Sequence, residues 1–418
     1  MGSKFPRPKD IGFPNVENPI EYNISKVSEG QAGKKGSLAF SLCALKSGNI
    51  LISYITRDEK NLEMKSFLSI YSVPKLKLVE KYEFQAEVND ITYSVVYAIQ
   101  LKNGNIFSIC DKFYFFEGES IADGPKTTSE EVNDISCKKI EARFIDPTDI
   151  FKRKQIVKDS RSYLCDFMIE PKEGIVLYTC DTYGHNHDIS LLDVSNLENI
   201  ETQGKKVYSW SDLSKKDSYE FDIIYQSEYY PENLYVIANV SNYHSNSSSL
   251  LLIFNSDDFC KTNTSSRKPI NKIEVSKSRI VFALLEYDKT YLLLDTVNNG
   301  IYIINIETKQ KVAVSDLKII HEKFTGVEGM LMNHYTKEEQ IQKHIFITLY
   351  RNMIKLKDGQ VLTVYDSTYF VTDINAQQKK PAKDIQAYAK AKFVISGNYI
   401  ITLNAQSAEF IAIKLYDD

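Results

Sequence analysis

Three short stretches of this chain nearly copy one another, and they restrict its fold more than any other feature. Leu45-Lys46-Ser47-Gly48-Asn49-Ile50 recurs as Leu101-Lys102-Asn103-Gly104-Asn105-Ile106, and again as Leu356-Lys357-Asp358-Gly359-Gln360-Val361. In each, a hydrophobic run enters a tight polar turn and a second hydrophobic run leaves it. Glycine, free to take positive φ, makes such a turn a hairpin turn. Looser versions fall at 171–174, 231–233, 288–290 and 396–398. The turns centre near residues 48, 104, 174, 233, 289, 359 and 397, so one unit occupies about 58 residues. Seven hairpin-centred units at a steady spacing suit a β-propeller, whereas a sandwich has no reason to keep a period.

The rest of the chain agrees with an all-β reading. Tyr and Phe, which favour strands, number 27 and 21 against a single Trp, Trp210. Apolar runs of four to seven residues, for example 95–101, 106–110, 175–180, 234–240, 250–254, 291–294, 301–306 and 360–365, are bounded by Gly, Asn, Asp or Ser. A helical period is hard to find. Residues 146–158 and 335–343 are the best helical candidates, and both read as excursions between strands. The last unit supplies only three strands, at 391–395, 399–403 and 410–415. A ring needs a fourth there, because an open sheet edge invites aggregation. Residues 20–27 (IEYNISKV) alternate in polarity and are placed to close the ring. Residues 1–19, with five Pro or Gly among the first fourteen, then form an extended arm, and 20–418 form the propeller. Six or eight blades also fit, since 117–165 and 315–355 carry no clear unit boundary.

The second half of each unit adds a resemblance. After the turn and its following strand comes an Asp or Asn turn, then another apolar strand, as in QVLTVYDSTYFVTDI (360–374) and NIFSICDKFYFFE (105–117). Asp111, Asp181, Asp295 and Asp366 stand where degenerate WD40 repeats place a turn Asp. Leu192-Asp193, Ile304-Asn305 and Thr372-Asp373 stand where those repeats carry Trp-Asp. The chain thus resembles the WD40-like β-propellers over most of 20–418. No Trp-Asp dipeptide occurs and no Gly-His pair opens a unit, so the family's His/Asp hydrogen-bond network is not implied. Stacked blades fix many loops on two broad faces, so a non-enzymatic protein-interaction scaffold, a propeller subunit of a larger intracellular assembly, is expected.

Chemistry-bearing motifs are scarce. Residues 30–37 (GQAGKKGS) resemble a phosphate loop only superficially. The Walker spacing fails and Lys35 occupies the Ser/Thr position, so a flexible linker is expected. No G-x-S-x-G, H-E-x-x-H or EF-hand pattern occurs. No cofactor or metal is expected. A propeller enzyme, a hydrolase or lyase working at the central channel, remains the rival reading. Three of six histidines would share one rim if the unit assignment holds. His185 and His187 fall in the second-to-third-strand loop 181–188, and His244 falls in the matching loop 242–249 of the next unit. With Tyr183, Asn186 and Tyr243 they form the expected protein-contact patch. The insertion 117–136 reads as a long exposed loop.

Lys and Arg total 51 against 55 Asp and Glu, a net charge of −4. This near-balance argues against nucleic acid as the partner, although an RNA- or ribosome-associated propeller is a third reading. No apolar run approaches the roughly 20 residues of a membrane span, and the first 19 residues lack a signal peptide's apolar stretch, so a cytoplasmic location is expected. The six cysteines are scattered without a CxxC pair and are expected to be free, buried thiols.

Overall fold

The computed structural model describes residues 7–20, 22, 25–57, 64–84, 96–109, 113–116, 118–121, 167–182, 186–195, 205–214, 219–240, 248–261, 267–276, 281–296, 300–314, 353–365, 368–375, 378–386, 391–404 and 407–414. The helical candidates 146–158 and 335–343 lie outside them.

β1 (Ser25–Gln31) comes first in the chain but belongs to the last sheet. Unit 1 holds β2 (Leu38–Ala44), β3 (Ile50–Arg57), β4 (Met64–Tyr71) and β5 (Leu78–Phe84). Unit 2 holds β6 (Tyr97–Gln100), β7 (Ile106–Ile109) and β8 (Phe113–Phe116). Unit 3 holds β9 (Met168–Lys172), β10 (Ile175–Thr182), β11 (Asn186–Asp193) and β12 (Lys205–Tyr208). Unit 4 holds β13 (Tyr219–Gln226), β14 (Asn233–Val240), β15 (Ser249–Asn255) and β16 (Asn271–Ser276). Unit 5 holds β17 (Val281–Glu286), β18 (Tyr291–Thr296), β19 (Gly300–Asn305) and β20 (Lys311–Val314). Unit 6 holds β21 (Ile354–Lys355), β22 (Val361–Tyr365), β23 (Thr368–Asp373) and β24 (Gln378–Gln386). Unit 7 holds β25 (Ala391–Ser396), β26 (Tyr399–Asn404) and β27 (Glu409–Lys414), with β1 as its outer strand.

Each unit is an antiparallel meander, so the chain is a β-propeller with six four-stranded blades. The seventh sheet, β6–β7–β8, has three strands among the described residues. It takes its place in the ring with β6 beside β2 on one side and β9 on the other. The three near-identical turns are the first-to-second-strand turns of units 1, 2 and 6. Their glycines Gly48, Gly104 and Gly359 all have positive φ.

The core lies between blades. One apolar cluster joins Leu177, Ile189 and Tyr208 of unit 3 to Phe221, Val236 and Phe254 of unit 4. Another joins Ile50, Ile52 and Tyr54 of unit 1 to Ile401, Leu403 and Phe410 of unit 7. Polar side chains stitch the seams between units 1 and 2 and between units 4 and 5. The Ser53 hydroxyl donates to the Val96 carbonyl at 2.6 Å, and the Ala98 amide donates to Ser41 Oγ at 3.1 Å. Buried Asn239 of unit 4 takes the Val281 amide at 2.8 Å and donates to the Val281 carbonyl at 3.0 Å.

Ring closure follows the expected logic with a shifted strand. β1 pairs antiparallel with β27, Ser25 opposite Lys414 and Gln31 opposite Glu409. The closing strand therefore covers 25–31, not 20–27. The supposed linker 30–37 is corrected at its start. Gly30 and Gln31 complete β1, and fully buried Ala32 donates its amide to Ala408. A Cβ on Gly30 would fall 2.6 Å from the Phe410 ring, so that glycine lets an aromatic lie flat on the strand.

Candidate functional site

The six residues expected to form a contact patch divide sharply. Asn186 and His187 sit in β11, where they pair with Thr182 and Asp181. The expected loop 181–188 is corrected: the ladder continues through it and only 183–185 connect the strands. Asp181 and Thr182 have turn-forming side chains, yet the register of the two eight-residue strands holds them in the sheet. Tyr183, His185, Tyr243 and His244 lie outside the described residues. The β10–β11 and β14–β15 connections do leave the same end of two adjacent units. The insertion 117–136 is described only at 118–121, where Ile121 is buried and Glu119 turns back onto unit 1.

The opposite end carries the first-to-second-strand turns, and there every seam between units is bridged. Lys46 of unit 1 reaches the Lys102 carbonyl of unit 2 at 2.6 Å, and Lys102 reaches the Pro171 carbonyl of unit 3 at the same distance. In units 1 and 2 the repeated Leu-Lys pair thus has a mechanical reading: leucine enters the core and lysine clamps the next unit. Lys172 of unit 3 meets Asp257 of unit 4 at 3.1 Å. Buried Glu286 of unit 5 accepts the Ser227 hydroxyl at 2.5 Å and the Glu228 amide at 2.7 Å, both from unit 4. Lys355 of unit 6 donates to the Tyr287 carbonyl of unit 5 at 2.8 Å, its ammonium 4.1 Å from the tyrosine ring centroid. Ser396 of unit 7 donates to the Gly48 carbonyl of unit 1 at 2.5 Å.

The seam between units 6 and 7 is bridged by the N-terminal segment. The expectation of a free arm over 1–19 is corrected for the described residues: 7–20 lie against the propeller. Phe13 is 4% exposed, its ring 4.7 Å from Tyr287 and 5.2 Å from Tyr291. It joins the apolar cluster that unites unit 5 (Leu293, Ile303) with unit 6 (Met353, Val361). Side chains then hold the segment's backbone. Tyr291 donates to the Ile11 carbonyl at 2.7 Å, and Asn375 Nδ2 donates to the carbonyls of Phe13 at 3.2 Å and Pro14 at 2.6 Å. Further on, Asp358 accepts the Ile20 amide and the Tyr22 hydroxyl, each at 2.8 Å. From there the chain enters β1 of unit 7. A sequence reading had no signal for this strap, since its contacts are 280 to 362 residues away in the chain.

Electrostatics fit the geometry. Partial burial raises the Asp358 carboxyl pKa, but hydrogen bonds from the Ile20 amide, the Gln360 side chain and the Tyr22 hydroxyl outweigh it, leaving it below the usual aspartate value. Glu119 behaves alike: burial raises it, and bonds from Ser47 and Gln100 bring it below normal. Burial, helped by Asp288, Asp358 and Asp373, pushes the Tyr287 hydroxyl up to about 12. It stays a donor at neutral pH and reaches the Gly359 carbonyl at 2.8 Å. Cys43 and Cys260 are not joined in a disulfide, and burial foremost pushes the Cys260 thiol up to about 11, where it is unreactive. Among the described residues, no three His, Cys, Asp or Glu side chains gather to hold a metal, and no helix is long and apolar enough to cross a membrane.

The large exposed apolar side chains among the described residues are Ile20, Val27, Leu78, Val79, Tyr229, Ile270 and Ile395. All sit at or near the turn end. Tyr229 lies in the first turn of unit 4, and Ile395 precedes that of unit 7. Ile270 stands just before β16, Leu78 lies opposite Tyr71, and Ile20 is bonded to the unit 6 turn.

No protein-family model matches the chain, and no curated protein is similar to it in sequence. Solved structures are similar in shape only. The computationally designed Ika8 protein is 10% identical over 94% of this chain and 99% of its own, with a TM-score of 0.45. An extracellular domain assigned to a hybrid two-component system of B. thetaiotaomicron is 13% identical, with a TM-score of 0.47 over 94% of this chain and 42% of its own. PorZ, a surface component of the type-IX secretion system of Porphyromonas gingivalis, is 9% identical, with a TM-score of 0.48 over 89% of this chain and 46% of its own. The chain spans less than half the length of these last two.

Proposed function

We propose that this protein is a non-enzymatic protein-interaction platform, a WD40-like propeller subunit of a larger cytoplasmic assembly. The observation that carries the reading is the turn end: a ring of bridged seams fixes seven turns, and exposed apolar side chains collect around it. Interaction loops on a rigid scaffold need little ordering when a partner docks, and exposed apolar groups gain most from being covered.

The test is affinity capture from native extract with quantitative mass spectrometry, comparing three baits. One is wild type; one carries Tyr229→Ser, Ile270→Ser and Ile395→Ser. The third carries Ala at Tyr183, His185, His187, Tyr243 and His244 on the other end. A stoichiometric partner set lost only by the folded turn-end variant supports this surface. Loss only from the third bait moves the interface to the opposite end. If none of the baits enriches a partner, the platform reading fails.

A further inference from the structure

We infer that the slot holding Phe13 between units 5 and 6 is a peptide-binding site, closed in this chain by its own N-terminus. Its ligand class is a segment bearing Gly-aromatic-X, where X is not proline; in the native occupant Pro8–Ile11 form a 3-10 turn that Gly12 caps in the left-handed conformation. The site is built as peptide clefts are. One aromatic anchor is buried between Tyr287, Tyr291 and the flanking apolar wall, while two polar side chains hold successive backbone carbonyls. Glycine is required before the anchor: Gly12 has φ +78°, and a Cβ there would fall 2.9 Å from the Tyr291 hydroxyl. Beside these contacts, Ile11 packs against the same apolar cluster and Asp358 holds the Ile20 amide. Between residues 7 and 20 only Pro8 and Phe13 are buried.

The exclusion of proline comes from Asn375. Two carbonyls occupy its Nδ2, which fixes the orientation of the amide. Its Oδ1 is buried and finds no donor. In an extended residue the N–H and C=O point to the same side, so a side-chain amide that donates to one residue's carbonyl can accept that residue's N–H. The residue whose carbonyl lies nearest is Pro14, which has no N–H. The native segment is therefore an imperfect occupant, and a peptide with an N–H at that position completes the site. A tethered occupant competes only at its effective concentration, of millimolar order for a short flexible link, so a better-matched ligand can displace it. This inference does not depend on the platform reading, and its test uses purified components.

The test uses the full chain with Phe13→Ala, which vacates the slot, and fluorescein-labelled peptides spanning residues 8–16. The parent peptide is PKDIGFPNV, and a second has Ala at the Pro14 position. A third carries N-methylalanine there, restoring the missing N–H defect without the proline ring. The Ala peptide is expected to bind about 5-fold tighter than the N-methylalanine peptide, roughly one net hydrogen bond. Adding Asn375→Ala to the chain should erase that difference, and replacing the peptide's phenylalanine by alanine should remove binding. A folded Phe13→Ala chain that binds none of the peptides, or all equally, overturns the inference. Should that variant not fold, hydrogen exchange of wild type decides. A roughly thousandfold excess of the Ala peptide should speed exchange at the Gly12 and Phe13 amides. Unchanged exchange overturns the proposal.

Discussion

At the scale of single residues, Asp358 shows how a turn residue becomes a fastener. It occupies the variable position of the repeated turn, where unit 1 has Ser47 and unit 2 has Asn103. Of these three residues only Asp358 offers a carboxylate, and it accepts an incoming backbone amide, that of Ile20. A carboxyl whose folded pKa lies below its unfolded value stabilises the contact above the unfolded value, and the contact is lost as pH falls through the folded one. The strap should thus hold at neutral pH and loosen below the ordinary aspartate pKa of about 4. Protection of the Ile20 amide against hydrogen exchange, followed from pH 7 to pH 3, reads this directly. Asp358→Asn should lower that protection at pH 7 and flatten the acid limb. An acid limb that survives in Asp358→Asn would assign the titration to another group. The sequence displayed Asp358 as a turn former but not as a strap anchor, because its partners Ile20 and Tyr22 are more than 300 residues away.

At the scale of elements, the repeated turns were legible because leucine, glycine and their spacing are local properties. The role of Lys46 and Lys102 was not, because a backbone carbonyl on the next blade carries no sequence signature. The same turn also differs in its surroundings from blade to blade. A Cβ added at Gly104 meets nothing within 4 Å, whereas one at Gly359 falls 2.7 Å from the Tyr287 hydroxyl. Both Gly104→Ala and Gly359→Ala should lose about 1 kcal/mol for the left-handed backbone. Gly359→Ala should lose about 1 to 3 kcal/mol more, since Tyr287 must move and give up its bond to the Gly359 carbonyl. Urea titration of the two variants measures the gap, and equal midpoints would refute it. Seams show a parallel contrast. Asn239→Ala removes the side chain that holds both the amide and the carbonyl of Val281 in a buried seam, and should destabilise by about 2 kcal/mol. Lys172→Ala, which removes an exposed ion pair, should change stability by less than about 1 kcal/mol.

At the scale of the whole molecule, closure joins the two ends of the chain in one sheet. Alternating polarity pointed to an N-terminal closing strand, and the missing fourth strand of unit 7 supplied the reason for one. The register slipped five residues downstream because Gly30 and Gln31 read as linker. They became strand only through Phe410 on the partner side. Such a closure makes stability a property of the ring, since each core cluster belongs to two blades and none is complete in one. Removing residues 1–20 should leave a monomer, because β1 remains on β27. Removing 1–31 strips the edge of β27 and opens a row of unpaired backbone groups beside an apolar strand. That shorter chain should melt at least about 5 °C lower and self-associate with rising concentration. Light scattering after size exclusion, together with thermal melts, separates the two truncations. A monomeric 32–418 chain with an unchanged melting temperature would mean that the ring is held by its inter-blade seams and owes nothing to β1.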